Sequence, residues 1–298
     1  MSAIGRAAGK TRLLLDFVKF EHTLFALPFA LMSAFVAAGG APSAGTLLWI
    51  LGAMVGARTS AMAFNRLADR DLDRRNPRTA GWALPAGLLS ATEAWLLVIA
   101  AAGLFFLSAA MLNRLALLLS PVALAIVWGY SYSKRYTVWS HLLLGLCLGI
   151  APVGAWIAVR GTLGWPPMIL AAAVTLWTAG FDIIYACQDI EFDRREGLFA
   201  LPARWGVARA LLVSAALHVA MIGVLVWWGL ATGMGALYFS GLGIVALLLI
   251  HEHRLVKPTD LRRVNAAFFT ANGFVSIGLL LFTLGDLFTR LALSLPKG

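Results

Sequence analysis

The chain has 298 residues, of which 60% are hydrophobic and only 13% are charged. Soluble domains are typically about 45–50% apolar and about 25% charged, so this composition excludes an ordinary soluble enzyme, a disordered chain and a secreted disulfide scaffold. The 24 Lys and Arg residues exceed the 14 Asp and Glu residues and leave a formal charge of +10. In a membrane protein such an excess reflects the positive bias of cytoplasmic loops rather than nucleic-acid binding. We therefore expect an integral membrane protein with no nucleic-acid partner.

Apolar runs of the length needed to cross a bilayer as a helix, about 20 residues, follow one another along most of the chain. The segment before them, residues 1–19, is basic and amphipathic and lacks the features of a signal peptide. We predict an all-α polytopic membrane protein, with nine transmembrane helices in a bundle that forms a single domain, residues 1–298. The predicted spans are 22–39, 46–68, 92–112, 115–132, 140–159, 166–188, 207–228, 232–251 and 266–288.

The distribution of positive charge orients this predicted bundle. With a cytoplasmic N-terminus and nine crossings, 20 of the 24 Lys and Arg residues fall on or near the inner side. Cytoplasmic loops are enriched in Lys and Arg, so we expect a bacterial-type inner-membrane protein with its N-terminus inside and its C-terminus outside. All Asp and Glu residues except Asp286 also fall on or near the inner side. Acidic residues do not follow the topology rule, and their clustering indicates a functional site at the cytoplasmic side.

The predicted second span ends in a row of polar residues with a spacing of four. Asn65, Asp69 and Asp73 would lie along one face of a helix. Asp71 would point elsewhere, because it is about 200° away from Asp69 around the helix.

The predicted sixth span ends in the same pattern, 120 residues later. Tyr185, Asp189 and Asp193 are again four residues apart, and Glu191 is the acid that falls off this face. The two rows occupy corresponding places in two half-bundles, about 20–135 and 140–290, and so predict an internal pseudo-repeat.

Stacked carboxylates of this kind need a compensating charge. Like charges four residues apart destabilise a helix, and carboxylates near a membrane face also bear a desolvation cost. Oxygen ligands suit Mg²⁺, which is commonly shared with substrate phosphates. Two Mg²⁺ ions between four aspartates would allow an anionic diphosphate to bind, and the implied chemistry is metal-assisted departure of diphosphate from a lipid-like substrate. The alternative is that the acids only form ion pairs with neighbouring arginines at solvated helix ends.

A basic and aromatic segment lies between the two acidic rows, at the inner end of the fourth predicted span. Tyr130 is followed by Lys134, a mobile point charge suited to phosphate, and by Arg135, a forked donor suited to phosphate or carboxylate. The alternative is an ordinary juxtamembrane pair beside an interfacial aromatic belt.

In order, spacing and predicted membrane side, these motifs resemble the three signatures of the UbiA superfamily of intramembrane aromatic prenyltransferases. The resemblance extends over residues 19–290, and residues 76–87 are similar to the family's loop after the first acidic motif. Residues 19–29 resemble the 4-hydroxybenzoate polyprenyltransferase-like branch, which includes the prenyltransferase of the futalosine route to menaquinone. The three signatures are Asn65-x3-Asp69-x3-Asp73, Tyr130-x3-Lys134 and Tyr185-x3-Asp189-x3-Asp193.

The resemblance implies a central cavity and transfer of a polyprenyl chain from a polyprenyl diphosphate to a hydroxylated aromatic acid. The acceptor would be of the 4-hydroxybenzoate or 1,4-dihydroxy-6-naphthoate type, in ubiquinone or menaquinone biosynthesis. Lys134 would contact the diphosphate, Arg135 the diphosphate or an acceptor carboxylate, and Tyr130 and Tyr185 would line the reacting end of the chain. Carried over by position, the ligands of two Mg²⁺ ions and the diphosphate are Asn65, Asp69, Asp73, Asp189 and Asp193.

Three residues outside the signatures are further candidates for substrate binding. Asp182 lies one turn before Tyr185 inside an apolar span, where an acid is either functional or a hydrogen-bonded structural group. Arg58, seven residues before Asn65, could hold diphosphate, an acceptor carboxylate or an internal ion-pair partner. His22 could contact the acceptor or be a satisfied interfacial histidine.

Other residues fit less specific interpretations. Cys147 and Cys187 read as buried thiols, His218 as a structural residue, and residues 251–253 as the start of a solvated loop. Trp82 departs from the resemblance, because many family members have arginine at this place.

Other functions remain open at this stage. Within the superfamily, the acceptor could instead be of the haem or chlorophyll type. A membrane transporter with intramembrane carboxylates is the non-enzymatic alternative, although transporter sites tend to lie near the bilayer midplane, whereas these acids lie at helix ends. A phosphatidyltransferase would carry a denser acidic array in one stretch.

Overall fold

The computed structural model describes Phe17 and residues 23–294, and the secondary structure of this part of the chain is built from helices joined by loops. A 3-10 turn at Cys187–Asp189 and a π-helical turn at Ala266–Ala271 adjoin two of the helices. The helices are α1 (Thr23–Ala38), α2 (Ala44–Ala68), α3 (Arg70–Arg75), α4 (Ala91–Leu112), α5 (Arg114–Ser133), α6 (Ser140–Arg160), α7 (Trp165–Ala186), α8 (Ile190–Arg195), α9 (Leu201–Trp205), α10 (Val207–Ala231), α11 (Ala236–Leu255) and α12 (Asn272–Ser294).

The predicted all-α membrane bundle is confirmed, but the count of nine spans is not. Among the described residues, eight helices are long and apolar enough to cross a bilayer: α2, α4, α5, α6, α7, α10, α11 and α12. The first predicted span forms α1, which is apolar but has only 16 residues. At 1.5 Å per residue it reaches about 24 Å, which is less than the roughly 30 Å of a bilayer core.

Asn113 separates two apolar runs that are almost continuous in the sequence. Its backbone is extended, and its side chain accepts a hydrogen bond from the Ala116 N–H at 2.9 Å, which caps the start of α5. The amide nitrogen of the same side chain donates to the Ile157 carbonyl on α6 at 2.7 Å. One polar residue therefore ends α4, starts α5 and ties both to a third helix, so the two runs are separate spans as predicted.

The most buried span is α7, which packs against α6 on one side and α10 on the other. Around it, α1 contacts α6 and α12, while α2 packs against α4 and α5. An aromatic cluster of Phe25, Trp177, Phe181 and Phe268 joins α1 and α7 to the π-helical turn, with ring centroids 5.0–6.1 Å apart. The helices α2, α4, α5, α6 and α7 surround the cavity described below.

The close approach of α6 and α7 depends on two glycines one turn apart. A Cβ atom on Gly145 would collide with the Thr175 carbonyl oxygen, and one on Gly149 would lie 2.8 Å from the Ala171 carbonyl oxygen. Small residues four apart let membrane helices come into backbone contact, where van der Waals packing holds them together. This contact fixes the distance between α6 and α7, the helix that leads into the second acidic motif.

The expectation of a solvated loop start at residues 251–253 is wrong for Glu252, which is fully buried near the end of α11. Asn272 donates a hydrogen bond to Glu252 Oε1 at 3.0 Å and accepts one from Trp177 Nε1 at 2.7 Å. His218 is buried beside them and contacts the Trp177 carbonyl at 3.1 Å, in agreement with a structural role. The partners lie far along the chain, so local polarity could not show that Glu252 faces the core.

Replacing Gly145 by Ala is predicted to destabilise the bundle by about 1–3 kcal/mol, the usual effect of overpacking a tight contact. The added methyl group would meet the backbone of α7, which cannot move aside as a flexible side chain can. Thermal unfolding in detergent measures this as a lower midpoint. Gly243→Ala is the matched control, because a Cβ on Gly243 meets nothing within 4 Å. Equal midpoints for the two variants would show that the glycine contact does not hold α6 against α7.

Candidate active site

Both acidic motifs lie where a long helix breaks, and the middle aspartate of each motif occupies the break. Asp69 has φ −98° and ψ 5°, between α2 and α3, and Asp189 has φ −107° and ψ 11°, just before α8. The sequence predicted one continuous helix face at each place. In the first motif the helical hydrogen bonds continue through the break, because the Asp69 N–H donates to the Asn65 carbonyl and the Asp73 N–H donates to the Asp69 carbonyl. The three side chains therefore keep their four-residue register.

Exposure separates the acids as the spacing predicted. Asp69, Asp73 and Asp193 are buried, whereas Asp71 and Glu191 are exposed. A charged group is buried only where partners compensate its lost hydration. The contacts of the buried acids therefore indicate which charged groups the site can bind.

Asp69 joins the first acidic motif to the basic segment at the end of α5. Its Oδ2 atom lies 2.6 Å from Lys134 Nζ, and its Oδ1 atom lies 3.1 Å from Arg135 Nη2. Arg135 also donates to the Ala68 carbonyl at 2.5 Å and so caps the end of α2. Asp69 is only 5% exposed, while Lys134 is 35% exposed, which leaves the lysine free to reach a ligand in the cavity.

Asp189 of the second motif is held by the loop that follows the first motif. Arg78 makes a bidentate contact with it, Nε to Oδ1 at 2.8 Å and Nη2 to Oδ2 at 2.5 Å. Asn76 donates to Asp189 Oδ1 at 3.0 Å, and Arg78 also donates to the Tyr185 hydroxyl at 3.2 Å. Such paired contacts fix both groups in orientation as well as in charge. The loop therefore draws the two acidic motifs together across the end of the cavity.

Trp82, the departure from the family pattern, covers a buried arginine. The guanidinium carbon of Arg66 lies 3.7 Å from the centre of a Trp82 ring, and Arg66 Nη1 lies 3.9 Å from Asp73 Oδ2. Arg66, Arg78 and Trp82 all line the cavity. Sequence reasoning named Arg66 only as a possible ion-pair partner and did not assign Arg78 a role. Arg78 lies in residues 76–87, the loop that resembles the family's loop, and this position could have identified Arg78 as a site residue.

Asp73 is a buried acid whose charge the protein compensates only in part. Burial raises the pKa of its carboxyl group above the ordinary range. Its Oδ2 atom is buried and has no hydrogen-bond partner among the described residues. Asp73 lines the cavity together with Asn65 and Asp69, so this wall presents carboxylate and amide oxygens. An unsatisfied carboxylate oxygen in an oxygen-rich wall fits a hard cation such as Mg²⁺.

The protein alone does not form a closed metal site. Within Phe17 and residues 23–294, no three His, Cys, Asp or Glu side chains converge closely enough to hold one ion. Mg²⁺ commonly binds through one or two carboxylates and completes its shell with waters and substrate phosphates. The arrangement therefore fits a cation that arrives with, and is shared by, a phosphorylated ligand.

A cavity of about 810 Å³ runs from this acidic end between the spans. Its wall along α2 extends from Asp69 to Ile50, which is about 28 Å of helix at 1.5 Å per residue. Leu112 and Ile157, at the opposite ends of α4 and α6, also line it. One end of the cavity is charged and the remainder is largely apolar, which suits a ligand with an anionic head and a long hydrocarbon tail.

The cavity brings together most of the predicted residues. Its lining does not include Asp189, Asp193 or Arg135, which stand behind it, so a direct contact of Arg135 with a ligand stays a prediction. His22 lies outside the described residues. The predicted site residues in the wall are Arg58, Asn65, Asp69, Asp73, Tyr130, Lys134, Asp182 and Tyr185.

Arg58 is a positive charge within the membrane-spanning part of α2 that faces the cavity. None of the described residues forms an ion pair with it, and its Nε atom is buried without a hydrogen-bond partner. An internal ion pair, which was one interpretation of Arg58, is therefore not seen within the described part of the chain. This arrangement leaves a cation available for an anionic group that enters the cavity.

The aromatic residues divide into two groups. Tyr185 packs on Phe268 with ring centroids 4.3 Å apart, and both line the cavity near Phe25 and Phe181. Phe64 is not part of the cavity lining, and its ring stacks on Trp128. Both cysteines are free; Cys187 is buried as expected, whereas Cys147 is only half-buried and lines the cavity.

A family model described as the UbiA prenyltransferase family matches residues 26–277. The chain is 32% identical over 248 residues to a 4-hydroxybenzoate octaprenyltransferase of Xanthomonas campestris pv. campestris, covering 83% of this chain and 81% of the relative. It is 31% identical over 256 residues to the protein of the same name from Cronobacter sakazakii, with coverage of 85% and 86%.

Solved structures show the same fold. An apo UbiA homologue from Aeropyrum pernix K1 is 34% identical, with a TM-score of 0.78 over 91% of this chain and 98% of that one. A UbiA homologue from Archaeoglobus fulgidus, bound to DMAPP and Mg²⁺, is 23% identical, with a TM-score of 0.70 over 92% and 98%. The match of the family model to most of the chain, together with these relatives, shows that the chain belongs to the UbiA prenyltransferase family.

Proposed function

We propose that this protein transfers a polyprenyl chain from a polyprenyl diphosphate to a hydroxylated aromatic acid, with release of diphosphate, in ubiquinone or menaquinone biosynthesis. One observation carries the proposal: a single cavity combines a charged end, an apolar length and an unpaired arginine. These three parts match the diphosphate, the tail and an acceptor carboxylate. Relatives named 4-hydroxybenzoate octaprenyltransferase support 4-hydroxybenzoate as the acceptor.

The charged end of the cavity suits the diphosphate with two Mg²⁺ ions. Asn65, Asp69 and Asp73 from the first motif, with Asp189 and Asp193 from the second, would hold the ions. Bound Mg²⁺ would neutralise the diphosphate and favour its departure. The structure of a distant relative bound to DMAPP and Mg²⁺ is consistent with this choice of metal.

Lys134 and Arg78 would exchange partners when substrate binds. Each now contacts a carboxylate, Asp69 or Asp189, and each is about one-third exposed. With cations on the carboxylates, the two bases are free to contact phosphate oxygens, where fixed positive charge stabilises the leaving group. The resting ion pairs thus keep the bases at the position where the diphosphate has to be held.

Positive charge develops at the allylic carbon as the diphosphate leaves, and aromatic faces near this carbon stabilise it by up to about 2 kcal/mol when desolvated. Tyr185 is placed for this role, because Arg78 donates to its hydroxyl group and Phe268 packs on its ring beside the acidic motif. Tyr130, at the end of α5, lines the same part of the cavity. The ring of the acceptor then attacks the allylic carbon.

Arg58 would bind the acceptor carboxylate. It lies seven residues, or about 10 Å along the helix axis, from Asn65 at the edge of the diphosphate site. An aromatic acid held by its carboxylate at Arg58 would present its hydroxylated end toward the reacting carbon. Both 4-hydroxybenzoate and 1,4-dihydroxy-6-naphthoate carry the required carboxylate.

Membranes containing the protein are predicted to transfer a labelled prenyl group to 4-hydroxybenzoate in the presence of Mg²⁺ and to lose this activity with EDTA. Asp69→Ala and Asp189→Ala each remove a charge that supports the leaving group, and we expect each to lower kcat/KM by at least about 100-fold. Asp71→Ala and Glu191→Ala are matched controls, because these exposed acids belong to the same motifs. Full activity in the first two variants would overturn the assignment.

Arg58→Met is predicted to raise the KM for the aromatic acid and leave the KM for the prenyl diphosphate within twofold. Losing a hydrogen bond to a charged group costs about 1.5–3 kcal/mol, or roughly 10- to 100-fold in affinity. Arg254→Met, at an exposed position on α11, is the control. Steady-state kinetics with both aromatic acids measure the effect and show which acceptor is preferred. An unchanged acceptor KM would remove Arg58 from the acceptor site.

The positive charge at the acidic end of the bundle supports a cytoplasmic active site, with the N-terminus inside and the C-terminus outside, in a bacterial-type inner membrane. A green fluorescent protein joined after residue 136 is then predicted to fluoresce, and an alkaline phosphatase joined after residue 162 or at the C-terminus is predicted to be active. The opposite pattern after residues 136 and 162 would place the active site outside. An inactive C-terminal phosphatase alone would show an even number of spans.

A further inference from the structure

His141, which has no role in the proposed mechanism so far, forms a hydrogen bond with Asp182, the acid within the apolar span. Asp182 on α7 lines the cavity one helical turn before Tyr185, and its side chain is one-fifth exposed. Its Oδ2 atom lies 2.7 Å from Nδ1 of His141, which is buried at the start of α6. The other carboxylate oxygen, Oδ1, makes no hydrogen bond to a described residue and remains available to a ligand.

A second contact determines which nitrogen of His141 carries the proton. The Leu201 backbone N–H donates to Nε2 at 3.3 Å. A backbone N–H can only donate, so Nε2 acts as the acceptor, and the proton of a neutral imidazole is on Nδ1. The Nδ1–H group therefore donates to Asp182. One buried histidine connects α6, α7 and the segment after the second acidic motif.

This partner distinguishes Asp182 from the other carboxylates that line the cavity. Asp69 faces two cations, and the nearest charged group to Asp73 Oδ2 is Arg66. Among the described residues, the hydrogen-bond partner of Asp182 is a neutral donor. A neutral donor orients a carboxylate without cancelling its negative charge, whereas two cations contact Asp69.

The reaction in the proposed function requires a proton acceptor. The allylic carbon forms a bond with a ring carbon of the aromatic acid, and the bond from the allylic carbon to diphosphate oxygen breaks, with the electron pair leaving on the diphosphate. The ring carbon then loses its proton, and the C–H electron pair restores aromaticity. One proton must be taken up for each product formed.

We propose that His141 is a positioning residue, which holds Asp182 Oδ2 through its Nδ1–H so that the carboxylate accepts the proton that the acceptor ring releases. This inference rests on the proposed function and extends it to a pair of residues outside the three signatures. General acid–base groups typically contribute 10²- to 10⁴-fold to a rate. A residue that only orients such a group contributes a part of this effect.

Two substitutions at His141 separate positioning from packing. His141→Asn keeps an amide N–H near the position of Nδ1–H, whereas His141→Leu keeps bulk but removes this donor. We expect His141→Leu to lower kcat about 10- to 100-fold with the KM for prenyl diphosphate within twofold. His141→Asn is expected to restore most of this loss. On an Asp182→Asn background, His141→Leu is expected to cause no further decrease, since the two residues act as one unit.

An acceptor deuterated at the ring positions next to its hydroxyl group gives a readout that packing would not change. If proton removal becomes rate-limiting without His141, the isotope effect on kcat will be near unity in the wild type and clearly above unity in His141→Leu. Membranes with equal amounts of folded variant, judged by thermal unfolding in detergent, are compared.

Equal losses in His141→Leu and His141→Asn with no isotope effect would overturn the role of His141, as would independent effects of His141→Leu and Asp182→Asn. These outcomes are defined in membranes whose wild-type protein is active. Wild-type membranes that prenylate no aromatic acid would instead overturn the proposed function, and the role of His141 with it.

Discussion

The structure depends on compensating buried carboxylates at the end of an apolar bundle. Asp69 is almost completely buried, and Lys134 and Arg135 contact its two oxygens. Removing one member of such a group would leave a charge without water or partner, which costs several kcal/mol. The end of α5 is therefore held against the end of α2, and Arg135 secures the last turn of α2 by binding the Ala68 carbonyl. The same neutralisation keeps the bases where an anionic substrate would need them.

In the second acidic motif, the charge of Asp189 is compensated by a different partner, an arginine of a loop. Arg78, from the loop after the first motif, binds Asp189 in a bidentate contact and touches the Tyr185 hydroxyl. The loop after the first acidic motif and the second acidic motif are thus joined by a charge pair rather than by apolar packing alone. Because such a contact can be exchanged for phosphate oxygens, the arrangement that stabilises the empty cavity also prepares it for a ligand. Stability and binding are then supplied by the same side chains.

Deeper in the cavity, charge is rare and each charged group has a separate environment. Arg58 is unpaired among the described residues, and Asp182 is held by a neutral histidine. In a low-dielectric interior an uncompensated group is costly, and such residues mark places where a ligand completes the interaction. The apolar wall between them and the far ends of α4 and α6 provides room for a hydrocarbon tail. The charged groups of the cavity therefore lie at the positions where the proposed reaction needs charge.

Local sequence properties were sufficient to predict the membrane-spanning helices and to predict which acids share a helix face. Eight of the nine spans predicted from run length correspond to helices long and apolar enough to cross a bilayer. The spacing of four separated buried Asp69 and Asp73 from exposed Asp71. These features depend on neighbours within one helix, where periodicity and hydropathy are informative. The break at each middle aspartate, the contact of Arg78 with Asp189 and the contact of His141 with Asp182 could not be predicted in this way. His141 and Asp182 are 41 residues apart in the chain, and Arg78 and Asp189 are 111 residues apart. Only the packing of separate helices and loops brings these pairs within hydrogen-bond distance.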